Sequence, residues 1–139
     1  WWDIYSFEAT AKWLAGASRD GEVVLNASWD YFPMLFFWNA KNSYVGGTDP
    51  IVLYANDPGL YFINEIVRQG GFSKDSGHEL PPDLPEVLMD RFGARYIFLA
   101  KKIETDLYEN LKKSPDFSIG FEHDTLAVFR AKTIEVQPR

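Results

Sequence analysis

Apolar positions along this chain switch between a helical period and short strand-like runs. Residues 7–17 place Phe7, Ala11 and Leu14 on one face of a helix, with Ser6 as its cap. Arg19-Asp20-Gly21 reads as a turn, and residues 22–27 (EVVLNA) as a short buried strand. Asp30 is placed to cap a second helix running to about residue 39, with Pro33 in the tolerated first turn. That helix is apolar all round, so both of its faces require cover. Residues 42–50 read as a loop, because Gly46-Gly47 and Asp49-Pro50 both interrupt regular structure. Asp57-Pro58 opens a third helix that Gly70-Gly71 ends, with Leu60, Ile63 and Val67 as its apolar stripe.

The polar stretch 70–82 reads as a further loop. Asp83-x-x-Glu86 has the form of a capping box ahead of Val87, Leu88 and Phe92, with Gly93 as the stop. Residues 95–100 (RYIFLA) give the second buried strand, and Ile103, Leu107 and Leu111 mark another amphipathic helix. Strands at 116–122 and 126–131, joined through His123-Asp124-Thr125, form a hairpin. Alternating helices and strands followed by a hairpin predict an α/β fold. It is a two- or three-layer sandwich on a mixed sheet, with parallel central strands at 23–27 and 96–99 and an antiparallel C-terminal hairpin. The excursion over residues 28–93, inserted between the first two strands, follows the C-terminal end of the first. Open α/β sheets place ligand sites there.

Composition bounds the function. The 139 residues suit a single domain, 1–139, and the net charge of −6 comes without any Lys/Arg cluster. A nucleic-acid partner is thereby disfavoured, as is attraction to an anionic membrane surface. There is no cysteine, which excludes disulfides and thiolate metal sites. The longest apolar run, residues 32–38, contains a proline and is too short to span a bilayer. The abrupt start Trp1-Trp2-Asp3, with no Met and no signal pattern, reads as the edge of a segment taken from a longer chain.

Ordinary catalytic and cofactor signatures are missing. No glycine follows the first strand until Gly46, and no Gly-Lys-Ser/Thr occurs, so neither a dinucleotide fingerprint nor a phosphate loop is present. No cofactor is expected. His78 and His123 have no second ligand at helical or turn spacing. Asp30, Asp49 and Asp57 have the chemistry for a hard cation, but helix caps and a turn before proline account for them better, so no metal is expected. His123-Asp124 falls in a hairpin turn with no serine elbow, and no carboxylate pair stands out for glycosidase chemistry. Asn26-Ala27-Ser28 fits a glycosylation sequon, yet Asn26 ends a buried strand and the match reads as chance.

Between Trp29 and Trp38, six of ten residues are aromatic. Most of these rings fill space between sheet and helices. The remainder suits a ligand platform in which Trp29, Tyr31, Trp38 and Tyr44 stack on sugar faces while Asn39, Asn42 and Asp49 meet hydroxyls. It equally suits a docking surface for a protein or a membrane interface. A small hydrolase is a further class, one that requires a pocket with a perturbed acid–base pair.

The run Trp29-Asp30-x-Phe32-Pro33-x-Leu35-Phe36, then Asn39-x-x-Asn42-x-Tyr44-x-x-Gly47-x-Asp49-Pro50, then Tyr54 and Asp57-Pro58-x-x-Tyr61, carries a resemblance. It is similar to the C-terminal region of polytopic membrane glycosyltransferases of the dolichyl-phosphate-mannose–protein mannosyltransferase-like kind. Phe92-Gly93-Ala94-Arg95-Tyr96-Ile97 and the terminal hairpin continue it, so that it covers about residues 7–130. In such enzymes a bundle of transmembrane helices binds a polyprenyl-phosphate sugar and carries the catalytic acid, and a soluble domain lies above it. The resemblance implies that this chain is that extracytoplasmic domain, non-catalytic by itself, contributing to acceptor binding or to a lid over the active site. It further implies partners: the transmembrane portion of its own parent chain, the polyprenyl-phosphate donor, and a protein or glycan acceptor. Trp29, Asp30, Tyr31, Asn39, Asn42, Tyr44 and Asp49 are the candidate contact residues. A self-standing carbohydrate-binding or protein-interaction module is the alternative.

Overall fold

The computed structural model describes residues 3–47, 49–70 and 84–132. Its strands are β1 (Val23–Asn26), β2 (Ser43–Tyr44), β3 (Ala94–Ala100), β4 (Phe117–His123) and β5 (Leu126–Ala131). They form one mixed sheet in the order β2-β1-β3-β5-β4. β1 runs parallel to both β2 and β3, and β5 is antiparallel to β3 and β4. The expected α/β architecture holds, with parallel strands at its centre and the hairpin beside them. β3 is apolar on both faces because both faces are covered, which is why residues 95–100 read as one continuous run.

Side chains alternate between two cores. On one face, α1 (Glu8–Ala17) and α2 (Phe32–Trp38) set Ala11, Leu14 and Leu35 against Val24, Tyr96, Phe98 and Val128. On the other, α4 (Pro58–Arg68), α5 (Leu84–Val87) and α6 (Thr105–Lys113) set Val67, Leu84, Leu107 and Leu111 against Leu25, Ile97, Leu99 and Phe129. Three layers result. α3 (Pro50–Asn56) has no buried residue and packs on α4.

Local chemistry explains where the elements start and stop. Asp57 Oδ1 accepts the Leu60 N–H at 2.9 Å, capping α4 as its sequence indicates, with Pro58 in the first turn. Gly93 takes the left-handed conformation (φ 64°) that ends the π-turn Leu88–Phe92. The hairpin turn is tighter than expected: His123 is still in β4, and Asp124 alone adopts positive φ, 44°.

Several expectations are corrected. Ser6 is not the cap of the first helix, because its hydroxyl donates to the Asp3 carbonyl (2.6 Å) while Asp3 Oδ1 receives the Tyr5 N–H (3.0 Å). A 3₁₀ turn over Ile4–Phe7 therefore precedes α1. Asp30 does not cap α2; it sits inside the 3₁₀ turn Trp29–Tyr31 that leads into that helix. Within 42–50, Ser43–Tyr44 is a strand rather than loop, since Ser43 N–H reaches the Glu22 carbonyl and Val45 N–H the Val24 carbonyl. Asp49 then caps α3, a helix the sequence pattern did not reveal. Among the described residues α2 is covered on one face only, leaving Phe36 and Phe37 exposed. The stretch read as a loop at 70–82 and the Asp83 end of the capping box lie, apart from Gly70, outside the described residues. No described helix is long and apolar enough to cross a membrane.

Candidate functional site

At the C-terminal end of β1 the chain turns at Asn26, whose side chain is buried. Its Oδ1 accepts the Gly46 N–H (2.9 Å), and its Nδ2 donates to the carbonyls of Ser28 (3.0 Å) and Gly46 (3.2 Å). One amide thus ties the loop leaving β1 to the loop leaving β2. Glycine is required at 46, because a Cβ there would stand 2.7 Å from Asn26 Nδ2.

These loops, with α3 and α4, enclose a cleft of about 410 Å³, within the range of about 300–1,000 Å³ usual for small-molecule sites. The Trp29 ring lines it and is 49% exposed. From α4 come Tyr61, Asn64, Glu65 and Arg68, one face at helical spacing, and from α3 comes Asn56. Val45, Val52 and Leu53 supply apolar lining.

Among the described residues two charges face this cleft, and they cancel. Arg68 Nη2 donates to Glu65 Oε2 at 2.8 Å and its Nε to Oε1 at 3.3 Å, a two-point fork. The bond to Glu65 is the main cause that holds the guanidinium pKa above its ordinary value. Around this neutral fork, Ser28 Oγ, Trp29 Nε1, the Tyr61 hydroxyl and the Asn64 amide have no hydrogen-bond partner among the described residues. Such groups meet water or a ligand.

A buried acid stands at the N-cap of α6 and feels the Arg68 charge. Glu104, 5% exposed, accepts the Ala100 N–H at 2.8 Å and the Tyr31 hydroxyl at 3.0 Å. Burial pushes its carboxyl pKa up, against the opposing pull of these two donors and of the Arg68 charge. Burial, and then Glu104 itself, push the Tyr31 phenol up as well.

Of the seven residues singled out from sequence, Trp29 alone lines the cleft. Tyr31 is buried against Glu104, and Asp30 is exposed on the same turn. Asn39 and Asn42 belong to an internal network at the opposite end of β1. There Asn39 Nδ2 donates to Asn42 Oδ1 (2.6 Å), and Asn42 Nδ2 to Ser18 Oγ (2.8 Å) and to the Glu22 carbonyl (2.9 Å). Tyr44 donates to the Asn39 carbonyl at 2.9 Å, and Asp49 receives the Ile51 N–H at 2.9 Å. Trp38 is no platform either, for its Nε1 donates to the Ile4 carbonyl and Lys12 lies 5.3 Å over its ring.

The helical wall escaped the sequence reading. Its signal was present as a second stripe on α4: Tyr61, Asn64, Glu65 and Arg68 repeat at the same spacing as Leu60, Ile63 and Val67. Chemically the cleft is fitted to hold a polar molecule; among the described residues neither a histidine nor a second carboxylate lines it. His123 is on the far hairpin, 3.5 Å from the Asp124 carboxylate, both side chains largely exposed. No protein-family model, curated protein or solved structure matches this chain.

Proposed function

We propose that the chain is an extracytoplasmic, non-catalytic domain of a membrane glycosyltransferase that transfers a sugar from a polyprenyl-phosphate donor, and that its cleft contributes to acceptor binding. The observation that carries this reading is the cleft at the C-terminal end of β1. There a half-exposed Trp29 faces Tyr61, Asn64 and a neutral Glu65–Arg68 fork, with polar groups left unassigned. The resemblance running through Trp29-Asp30-x-Phe32-Pro33 and Gly47-x-Asp49-Pro50 supports the same reading. The test uses the full-length parent protein in membranes. Trp29→Ala is expected to lower sugar transfer by raising the acceptor KM, leaving the donor KM unchanged. Transfer that is indifferent to Trp29 and Asn64 overturns the reading.

A second reading, a protein-interaction module, is favoured by the outer side of α3 and α4. Ile51, Tyr54 and Phe62 are exposed there, and Tyr54 meets Tyr61 and Phe62 edge-to-face at centroid distances of 5.4 and 6.1 Å. In the first reading this face suits the transmembrane portion of the parent chain. Charged substitution at Ile51 or Phe62 that releases a co-purifying partner while leaving transfer intact favours the second.

A further inference from the structure

Resting on the cleft as the binding site, the geometry points to a ligand class: we infer that it receives an uncharged, hydroxyl-rich ring, a neutral pyranoside, stacked on Trp29. Three ligand classes fit less well. An anion such as a phosphate or a uronate finds Arg68 already held at two points by Glu65. A cation finds Glu65 equally engaged, and among the described residues no group of three acidic or histidine ligands exists. A wholly apolar ligand strips water from Ser28 Oγ, the Tyr61 hydroxyl and the Asn64 amide and gives them nothing in return.

A pyranoside answers each group. Its axial C–H face covers the indole, and its hydroxyls both donate and accept. The amide of Asn64 offers both roles, and Tyr61 and Ser28 offer hydroxyls of either sense. Asn56 spends its Nδ2 on the Val52 carbonyl (2.7 Å), which leaves its Oδ1 to accept. The fork keeps its shape because Glu65 and Arg68 lie three apart on one helix. It presents rigid, neutral polarity instead of a free charge.

The experiment is an NMR titration of the 139-residue chain with methyl glycosides of neutral hexoses, with glucuronate and with inorganic phosphate, each up to about 50 mM, well above a Kd of about 1 mM. Expected are shifts at the Trp29 indole N–H and the Asn64 amide with neutral glycosides, weakened about tenfold in Trp29→Ala, which is exposed and leaves the fold intact. Glu65→Gln frees the guanidinium and is expected to bring phosphate binding that the unsubstituted 139-residue chain lacks. Shifts with phosphate or glucuronate but not with neutral glycosides overturn the ligand class, as does silence toward all three. The two proposals separate cleanly. Glycoside binding with no Trp29 effect on transfer in the parent protein leaves the ligand class standing and removes the glycosyltransferase role. A Trp29-dependent transfer without glycoside binding does the reverse.

Discussion

The Tyr31 hydroxyl lies 3.0 and 3.1 Å from the two carboxylate oxygens of Glu104, joining the turn before α2 to the start of α6. A residue whose sequence neighbours suggest a surface ring is in fact the partner of a buried acid. The Ala100 N–H completes the arrangement at 2.8 Å.

This pair has a pH signature. The folded-state pKa of Glu104 is raised, chiefly by burial, whereas the unfolded chain titrates near the ordinary value of about 4.3. The folded state therefore binds the proton more tightly. The stability this group contributes is complete below the unfolded value and is lost as pH rises through the raised folded one. Glu104→Gln removes that slope. Urea unfolding from about pH 4 to 8 is expected to show the variant gaining on the parent chain as pH rises, while a constant difference contradicts the assignment.

Tyr31→Phe removes a donor from a buried carboxyl and is expected to destabilise by about 1.5–3 kcal/mol at neutral pH. The same substitution should push the Glu104 pKa further up, since the Tyr31 bond is among the influences that hold it down. A carboxyl titration followed by NMR reads that second effect, and loss of ring packing alone does not produce it.

Thr10 offers the opposite case. Its hydroxyl is fully buried within α1 and has no partner among the described residues, so Thr10→Val is expected to stabilise by about 1 kcal/mol, read from the midpoint of urea unfolding. A loss of stability indicates that the hydroxyl holds a buried water.

Two glycine substitutions should differ in sign. Gly16→Ala, in α1 with nothing within 4 Å of the new Cβ, is expected to stabilise by about 0.5–1 kcal/mol. Gly46→Ala drives a methyl into the Asn26 amide and is expected to destabilise by about 1–3 kcal/mol while abolishing glycoside shifts in the cleft. Equal effects on stability refute the clamp.

Asn42→Ala separates architecture from site. It breaks contacts to Ser18 and Glu22 far from the cleft, and is expected to destabilise by about 1–3 kcal/mol without altering ligand shifts at Trp29. Trp29→Ala should behave the other way round.

Four of the five strands were legible because they declare themselves: the run over residues 96–100 is apolar, and the last two strands flank a short polar turn; the two-residue strand Ser43–Tyr44 is too short to leave a pattern. The helices at Asp57-Pro58 and Leu107–Leu111 were legible from cap and stripe. α3 was not, since a helix with no buried residue carries no core-facing period to detect. The site was harder. Asn39, Asn42 and Tyr44 have the residue types of a ligand platform, yet the same hydrogen-bonding capacity serves their own backbone and one another. Only the pairing of β1 with β2, which turns on the two residues Ser43 and Tyr44, brings Gly46 to Asn26 and so opens the cleft beside Trp29.

Sheet topology also sets an order of assembly. Glu122 pairs with Ala127 and Phe98 with Val128 inside one C-terminal stretch, whereas Leu25 must find Ile97 across the whole excursion. Loop closure penalises the distant pairing and spares the near one, so β3, β4, β5 and α6 are expected to form first, with β1 and β2 docking onto them later. The cleft, framed by Asn26, Trp29 and α4, is then expected to acquire its shape last. Amides of the antiparallel half should gain protection from exchange before those of Val24 and Leu25. A chain halted midway would hold a finished hairpin and no place for a ligand.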